Sequence, residues 1–215
     1  MLEVHRWGLK VTASRHRAGI GMILAFIAGC TILHDRASVP NAGAHLVTGV
    51  PFFPQAPHQC GPAALASLLG SLDHPIVPEA IAAEIYEPTS AGTSTVAMLA
   101  YGSRHQLPLR TLRGSLDDIR SEIDAKRPVI ALHRRGFPFR DYHYVVVIGY
   151  DPLDGTLYGY SGRNPRASWS APEFTRRWQA ADNWLLVWAG GERQIAPAAN
   201  RDARAEDHPE PGKRE

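Results

Sequence analysis

The segment from residue 142 to residue 161 constrains the fold most strongly. It consists of two apolar runs, YHYVVVIGY at 142–150 and TLYGYS at 156–161, joined by DPLDG. Runs rich in valine, isoleucine and tyrosine predict strands, and the Asp-Pro and Asp-Gly pairs between them predict a tight turn. The chain is therefore expected to build an antiparallel sheet around this hairpin and to bury its valine-rich strand.

Helical patterns dominate the region before the hairpin. Pro62 suits the first position of a helix, and Ser115 and Ser170 each begin a Ser-x-x-acidic capping box. Helices are predicted at 62–69, 78–86, 95–105, 115–125 and 170–179, an extended stretch at 47–53, and further strands at 129–133 and 184–188. Helices followed by an antiparallel meander predict an α+β domain over residues 47–189.

The composition is that of one ordinary globular domain. The chain has 215 residues, of which 44% are hydrophobic and 20% charged, which is enough to bury a single core. Its 23 basic and 21 acidic residues are scattered and leave a net charge of +2, so we expect no nucleic-acid partner. The sequence has neither metal-ligand spacing nor a phosphate-binding glycine motif, and we expect no cofactor or metal.

The N-terminal 30 residues have the pattern of a secretion signal. Residues 18–33 are 16 residues without a charge, preceded by basic residues, and fall short of the roughly 20 apolar residues that a spanning helix needs. Residues 27–30, Ile-Ala-Gly-Cys, resemble the bacterial lipobox, whose cysteine becomes the acylated N-terminus of the mature protein. We expect 1–30 to be a lipoprotein signal peptide with Cys30 as the lipidation site. The alternatives are a short uncleaved signal anchor and a buried N-terminal helix.

A lipid on Cys30 would hold the protein on a membrane of the bacterial cell envelope, facing the periplasm or the exterior. Residues 31–46 are polar and rich in small residues, which predicts a tether between membrane and domain. Residues 190–215 combine mixed charges and prolines with a single large aliphatic residue, Ile195, which predicts a disordered tail.

Cys60 is the candidate nucleophile. The chain has two cysteines, and acylation of Cys30 leaves Cys60 as the only thiol of the mature chain. It lies two residues before Pro62, at a predicted helix N-terminus, where unpaired N–H groups favour the reactive thiolate. Its own N–H and a nearby side-chain amide would hold an oxyanion. Gln55 and Gln59 are the amide candidates, and we favour Gln55 because a five-residue loop can turn back beside the thiol. The alternative for Gln55 is an ordinary surface role.

A cysteine nucleophile needs an imidazole to take and return its proton. Of the ten histidines, His133 and His143 lie on predicted strands. His143 begins a strand apolar enough to be central and rigid, whereas His133 ends its strand beside two arginines. We predict His143 as the general base. The alternative is a core histidine satisfied by a neighbouring carbonyl.

The stretches VPFFPQAPHQCGPAALASLL and HYVVVIGYD resemble the bacteriocin-processing cysteine peptidases that cleave double-glycine leaders, together with their free-standing relatives. This resemblance implies a papain-like fold, cysteine peptidase activity and a peptide or protein substrate. Gln55, Cys60 and His143 match the family's oxyanion, nucleophile and base positions.

The residue that orients the imidazole departs from the family pattern. The family places an aspartate, followed by proline, at the end of the next strand, where this chain has Ser161. Asp151 precedes a proline but belongs to the turn. A hairpin that sets Asp151 opposite Thr156 also sets residue 143 opposite Asn164.

We therefore favour Asn164 as the orienting residue, because an asparagine can orient a catalytic imidazole. Ser161 and Asp141 are the other side-chain candidates, and a backbone carbonyl or no orienting group is the remaining possibility. The missing aspartate also motivates an alternative function, a catalytically weak or inactive module that binds a peptide or an envelope partner.

Overall fold

The predicted hairpin is the centre of an eight-stranded sheet in the computed structural model, which describes residues 36–136 and 141–191. The strands are β1 Arg36–Ala37, β2 His45–Leu46, β3 Leu109–Arg113, β4 Val129–Arg135, β5 Asp141–Tyr150, β6 Leu157–Ser161, β7 Asn164–Trp169 and β8 Trp184–Trp188. They are antiparallel, in the order β1-β7-β6-β5-β4-β8-β3, with β2 paired to β5. The predicted α+β architecture is confirmed.

All five predicted helices are present. They are α1 Cys60–Gly70, α2 Pro78–Ile85, α3 Thr95–Arg104, α4 Leu116–Asp124 and α5 Ala171–Gln179. The Ser115 capping box is complete, because Ser115 Oγ accepts from Asp118 N–H at 3.1 Å and the Asp118 carboxylate accepts from Ser115 N–H at 2.7 Å. At Ser170 only half of the box forms. The Ser170 hydroxyl accepts from Glu173 N–H at 3.4 Å, while the Glu173 carboxylate accepts from Arg177.

The sheet separates two apolar clusters. One face packs against α4 and α5 and contains Val145 and Val147 of β5. The other face packs against α1, α2 and α3 and contains Tyr144 and Val146 of the same strand. Because successive side chains of a strand point to opposite faces, β5 supplies both clusters.

Within residues 47–189, two strands, β3 and β7, have no counterpart in the sequence prediction. β3 (LRTLR) is the outermost strand beside β8 and carries two exposed arginines, and β7 begins with Asn164, Pro165 and Arg166. Strands at or near a sheet edge need little apolar periodicity, because backbone hydrogen bonds to their neighbours hold them whatever their side chains are. Between β3 and β4 lies β8, so the predicted meander covers only β4 to β7.

Part of the predicted tether joins the sheet. β1 pairs with β7, β2 pairs with β5, and Asn41 Nδ2 donates to the Asp151 carboxylate at 2.5 Å. The described segment 36–46, which we call the strap, therefore belongs with the fold, and the domain begins before the predicted start at residue 47. Its polar sequence does not reveal this because backbone pairing and one buried carboxylate hold it.

The predicted signal peptide with Cys30, the first residues of the tether at 31–35, and the tail from residue 192 lie outside the described residues. Within residues 36–136 and 141–191, no helix has both the length and the apolar character that crossing a membrane requires.

Replacing the cap of α4 tests how much the capping box contributes. Ser115→Ala removes the bonds of the Ser115 hydroxyl to the Asp118 N–H and carboxylate, while the backbone N–H of residue 115 keeps its bond to that carboxylate. The substitution is expected to lower the free energy of unfolding by about 1 kcal/mol. Urea unfolding followed by circular dichroism measures the change. Ser121→Ala makes the same chemical change at an exposed position inside α4, and it should leave the stability unchanged or slightly raised. Equal effects of the two variants would contradict the assignment.

Candidate active site

Cys60 is the first residue of α1 and is half-buried. The helix is apolar and buried from Gly61 to Leu69, so its N-terminus is fixed by packing against the sheet. The approach to it is a tight turn, in which Gln59 N–H donates to Ala56 O at 3.1 Å and His58 has a φ of 62°. A proline at the second position and a positive φ at the third are features of a type II turn. The turn therefore delivers Cys60 to the helix N-terminus in a defined position.

Tyr144 connects Cys60 to the central strand. Cys60 packs against the apolar cluster that contains Tyr144. Burial raises the pKa of the Tyr144 phenol, and the charge of a Cys60 thiolate raises it further. The phenol donates to Thr93 O at 3.1 Å. Because Tyr144 follows His143 in β5, the start of α1 lies against the same end of β5 that carries the histidine.

His143 is buried and has a hydroxyl partner. Its Nε2 lies 3.0 Å from the Oγ of Ser161, which is itself buried. Ser161 is the last residue of β6. The hydrogen bond can hold the imidazole in one orientation, as a third residue must.

Register explains why Ser161, rather than the favoured Asn164, makes this contact. The hairpin closes as predicted, because Asp151 N–H donates to Thr156 O at 2.8 Å. The register then shifts by one residue at a bulge between Gly149 and Val147. In the shifted register Val146 pairs with Tyr160, so the next residue, Ser161, lies across from Val145. Val145 is two residues from His143, and the two side chains are on the same face of β5.

Asn164 occupies a different place from the one predicted. β6 ends at Ser161, and Asn164 begins β7, where it pairs with Ser161 across the turn. Its Oδ1 accepts from Arg166 N–H at 2.9 Å. The other candidate, Asp141, is exposed at the start of β5. A one-residue bulge has no evident sequence signal in this strand, and so the prediction extended the hairpin register too far.

Gln55 lies beside the turn that follows Ser161. Its backbone N–H donates to Gly162 O at 3.1 Å, and the residue is half-buried. The segment that leads to Cys60 therefore runs past the end of β6, next to the His143–Ser161 pair. Gln59 is the N-cap residue of α1 and makes no side-chain capping bond.

Thr93 closes over the start of α1. A Cβ built on Gly61 would lie 2.7 Å from the Thr93 Cβ, so only glycine fits beside Cys60 without displacing the threonine. Thr93 also begins one wall of a cleft of about 670 Å³. The cleft is lined by Thr93, Ser94, Thr95, Thr111, Leu112, Arg113, Leu132, Tyr142, Tyr144, Ala181, Asp182 and Trp184.

The cleft adjoins the candidate residues without including them. Tyr142 and Tyr144, the two neighbours of His143 in sequence, both line it. Its walls come from α3 and its preceding loop, β3, β4, β5 and the start of β8, elements distant in sequence. No local sequence pattern joins these residues, and the sequence therefore does not predict the cleft. Among the described residues, no group of three or more histidine, cysteine or acidic side chains is placed to hold a metal ion.

The fold and these positions together define a class. Helices pack on an antiparallel sheet, with a cysteine at the start of the first helix and a histidine on the central strand bonded to the next strand. This is the architecture of papain-like cysteine peptidases of the C39 type. The model of the Peptidase_C39 like family matches residues 47–184, and the chain belongs to this family.

Three solved structures share the fold. A C39-like peptidase from Bacillus anthracis is 15% identical, with a TM-score of 0.58, over 69% of this chain and 98% of that one. The peptidase domain of Streptococcus ComA, a bifunctional ABC transporter involved in a quorum-sensing pathway, is 17% identical, with a TM-score of 0.54, over 65% and 98%.

The third is a double-glycine-motif protease from an AMS/PCAT transporter in complex with the leader peptide, 18% identical, with a TM-score of 0.50, over 66% of this chain and 96% of that one. At these identities the likeness establishes the fold. A search of curated proteins returns no significant match.

Proposed function

We propose that this protein is a cysteine peptidase that hydrolyses peptide bonds through Cys60 and His143, with Gln55 in the oxyanion hole. The observation that carries the proposal is the 3.0 Å hydrogen bond between His143 Nε2 and Ser161 Oγ. A hydroxyl bonded to one ring nitrogen can fix the tautomer and the orientation of the imidazole, as a general base requires. The bond leaves Nδ1 as the ring nitrogen that would exchange a proton with the thiol.

The chemistry follows from the positions of the groups. His143 takes the proton of the Cys60 thiol, and Sγ attacks the carbonyl carbon of the substrate. The N–H of Cys60, in the first turn of α1 where such groups lack an intrahelical acceptor, and the Gln55 amide donate to the oxyanion. The C–N bond then breaks, and the leaving amine takes the proton from His143. Water hydrolyses the thioester, which restores the thiol and releases the acid.

The thiol and the imidazole would meet at the end of β5. Because side chains alternate along β5, Tyr144 points toward α1 and His143 toward the opposite face. On that face His133, which pairs with His143 across β4 and β5, contacts Phe174 at a ring-centroid distance of 4.5 Å. β6 ends at Ser161, so β5 has no β6 partner at the level of His143. The segment from Gln55 to Cys60 passes this end, and the proposal requires the thiol to meet the imidazole there.

The substrate is proposed to be a peptide or an unfolded protein segment. One structure of the same fold is a protease in complex with a leader peptide. Both proposals, the enzyme and the binding module, include a helix that begins with Cys-Gly and a histidine on the central strand. These features therefore do not distinguish the two. We place the enzyme first because the imidazole retains a partner, Ser161, despite the loss of the aspartate.

Removing either reacting group tests the enzyme. Cys60→Ala and His143→Ala should each lower cleavage of a proteome-derived peptide library by about 1000-fold or more, since members of a catalytic unit fail together. Mass spectrometry measures the cleavage, and iodoacetamide modification is followed on the peptide that contains residue 60. The matched control is His58→Ala, at an exposed turn two residues from Cys60, which should retain activity.

Unchanged cleavage by the Cys60→Ala protein would reject the proposal. The binding module would be favoured if the wild-type protein cleaved no peptide and both wild type and Cys60→Ala retained the same peptides on a column.

Ser161 offers a second test, because a hydroxyl orients an imidazole without adding charge. Ser161→Ala should lower kcat/KM by about 3- to 10-fold, the value of one neutral hydrogen bond. Ser161→Asp should raise kcat/KM above wild type, because a carboxylate also stabilises the imidazolium. Steady-state kinetics on one cleaved peptide measures both, with unfolding midpoints as a check on folding. Full activity of Ser161→Ala would show that the bond has no catalytic role.

We further propose that a lipid on Cys30 holds the enzyme in the bacterial cell envelope. This rests on the lipobox-like residues 27–30 and the short apolar run before them. Cys30→Ala should move the protein from the membrane fraction to the soluble or unprocessed pool, and intact mass should lose the lipid. Wild-type protein without a lipid mass would contradict the anchor and leave the peptidase proposal untouched.

A further inference from the structure

The cleft beside Tyr144 lies next to the candidate active site and has a largely apolar inner wall, as a pocket for a substrate side chain would. We propose that it binds a large apolar side chain of the peptide substrate, next to the bond that is cleaved. The inference rests on the proposed peptidase function and adds a substrate class to it, namely peptides with an aromatic or long aliphatic residue near the scissile bond.

Two contacts tie the cleft to the reacting groups. Tyr142 and Tyr144 line it on either side of His143 in sequence. Thr93 lines it as well, receives the Tyr144 hydroxyl on its carbonyl at 3.1 Å, and packs against Gly61, the neighbour of Cys60. A peptide whose carbonyl carbon lies at Cys60 therefore passes within one or two residues of the cleft.

The inner wall of the cleft is apolar. Leu132 and Tyr144 pair across β4 and β5, and Trp184 contacts the Tyr144 ring edge-on at a centroid distance of 5.5 Å. Ala181 continues the wall before β8. Removing a large apolar side chain from water into such a site is favourable in proportion to the area buried. A glycine would leave most of the volume of about 670 Å³ unused.

The rim of the cleft is polar and close to neutral. Arg113 Nη2 lies 4.0 Å from Asp182 Oδ1, so the two charged residues of the lining offset each other. The other polar side-chain groups of the lining are uncharged: the hydroxyls at 93–95, 111, 142 and 144 and the Trp184 N–H. An uncharged side chain needs no charged partner in the cleft. A charged side chain would lose its hydration there without gaining an unpaired opposite charge.

The preference expected here differs from that named for a protein of the same fold, a double-glycine-motif protease. In this chain we expect a large side chain, and not glycine, to be preferred near the cleavage site. The residues that set this selection are Leu132, Tyr144 and Trp184.

Peptidyl vinyl sulfones test the inference, because they alkylate a thiol at a rate that depends on side-chain recognition. Phe, Leu, Gly and Asp are placed in turn at each of the two residues before the electrophile, and modification of Cys60 in the full-length protein is timed by mass spectrometry. At one position, Phe or Leu should react at least about 10-fold faster than Gly or Asp.

Two variants locate the effect. Thr111→Trp, on β3 with its side chain on the cleft side, should fill the cleft and reduce the preference to about 2-fold or less. Arg110→Trp is the matched control, the same residue introduced on the opposite face of β3, and it should keep the preference. Trp184→Thr removes part of the apolar wall and should also lower the preference, should Thr111→Trp not fold.

Iodoacetamide distinguishes a failure of the cleft inference from a failure of the peptidase proposal. If all side chains react equally while iodoacetamide modifies Cys60 normally, the cleft inference is overturned and the peptidase remains. If Thr111→Trp folds and keeps the full preference, the selection lies elsewhere and the inference is again overturned. Cys60 that reacts with neither reagent overturns the peptidase proposal and, with it, the inference.

Discussion

Burial of both faces of β5 is the constraint on which the rest of the structure depends. Val145 and Val147 lie in the cluster under α4 and α5, while Tyr144 and Val146 lie in the cluster under α1. A strand between two cores can be neither shifted by one residue nor rotated, because either change would place its side chains on the wrong faces. The positions of His143 and Tyr144 at its start are therefore fixed by packing further along the strand. The histidine is rigid because the valines are buried.

The same strand explains how a serine can occupy the place of an aspartate. Ser161 is buried, and its partner His143 is buried with it. A carboxylate there would lose its hydration and would need a protonated imidazole to compensate. A hydroxyl avoids that cost, since it can donate or accept and remains satisfied in either state of the ring. A hydroxyl also holds one tautomer less strongly than a carboxylate does, so the proposed catalysis would depend more on position than on charge.

The sequence predicts what is locally encoded. The five helices follow from apolar spacing and from caps such as Ser115, and the hairpin follows from its turn residues. Cys60 and His143 are identified because a helix N-terminus and a central strand are themselves local patterns. The identity of the third residue is not local, since it depends on the bulge between Gly149 and Val147 and on where β6 ends. An unshifted hairpin register predicts Asn164 as the partner of His143. Because the bulge shifts the register, Ser161 is the partner.

The cleft and the strap depend on tertiary structure in the same way. Thr93, Leu132 and Trp184 meet only because β8 inserts between β3 and β4, an order that no local pattern specifies. The strap has the composition of a linker, yet Asn41 reaches Asp151 and His45 Nδ1 lies 2.6 Å from Asp124. Polar contacts of this kind leave no periodicity in the sequence.

The strap also limits where the enzyme can act if the proposed lipid is on Cys30. A free tether over 31–46 would let the domain move well away from the membrane. Because the sheet already includes Arg36, only residues 31–35 separate the lipidated cysteine from the fold. Fully extended, six residue steps span at most about 20 Å. The proposed anchor would therefore hold Arg36 within about 20 Å of the lipidated residue.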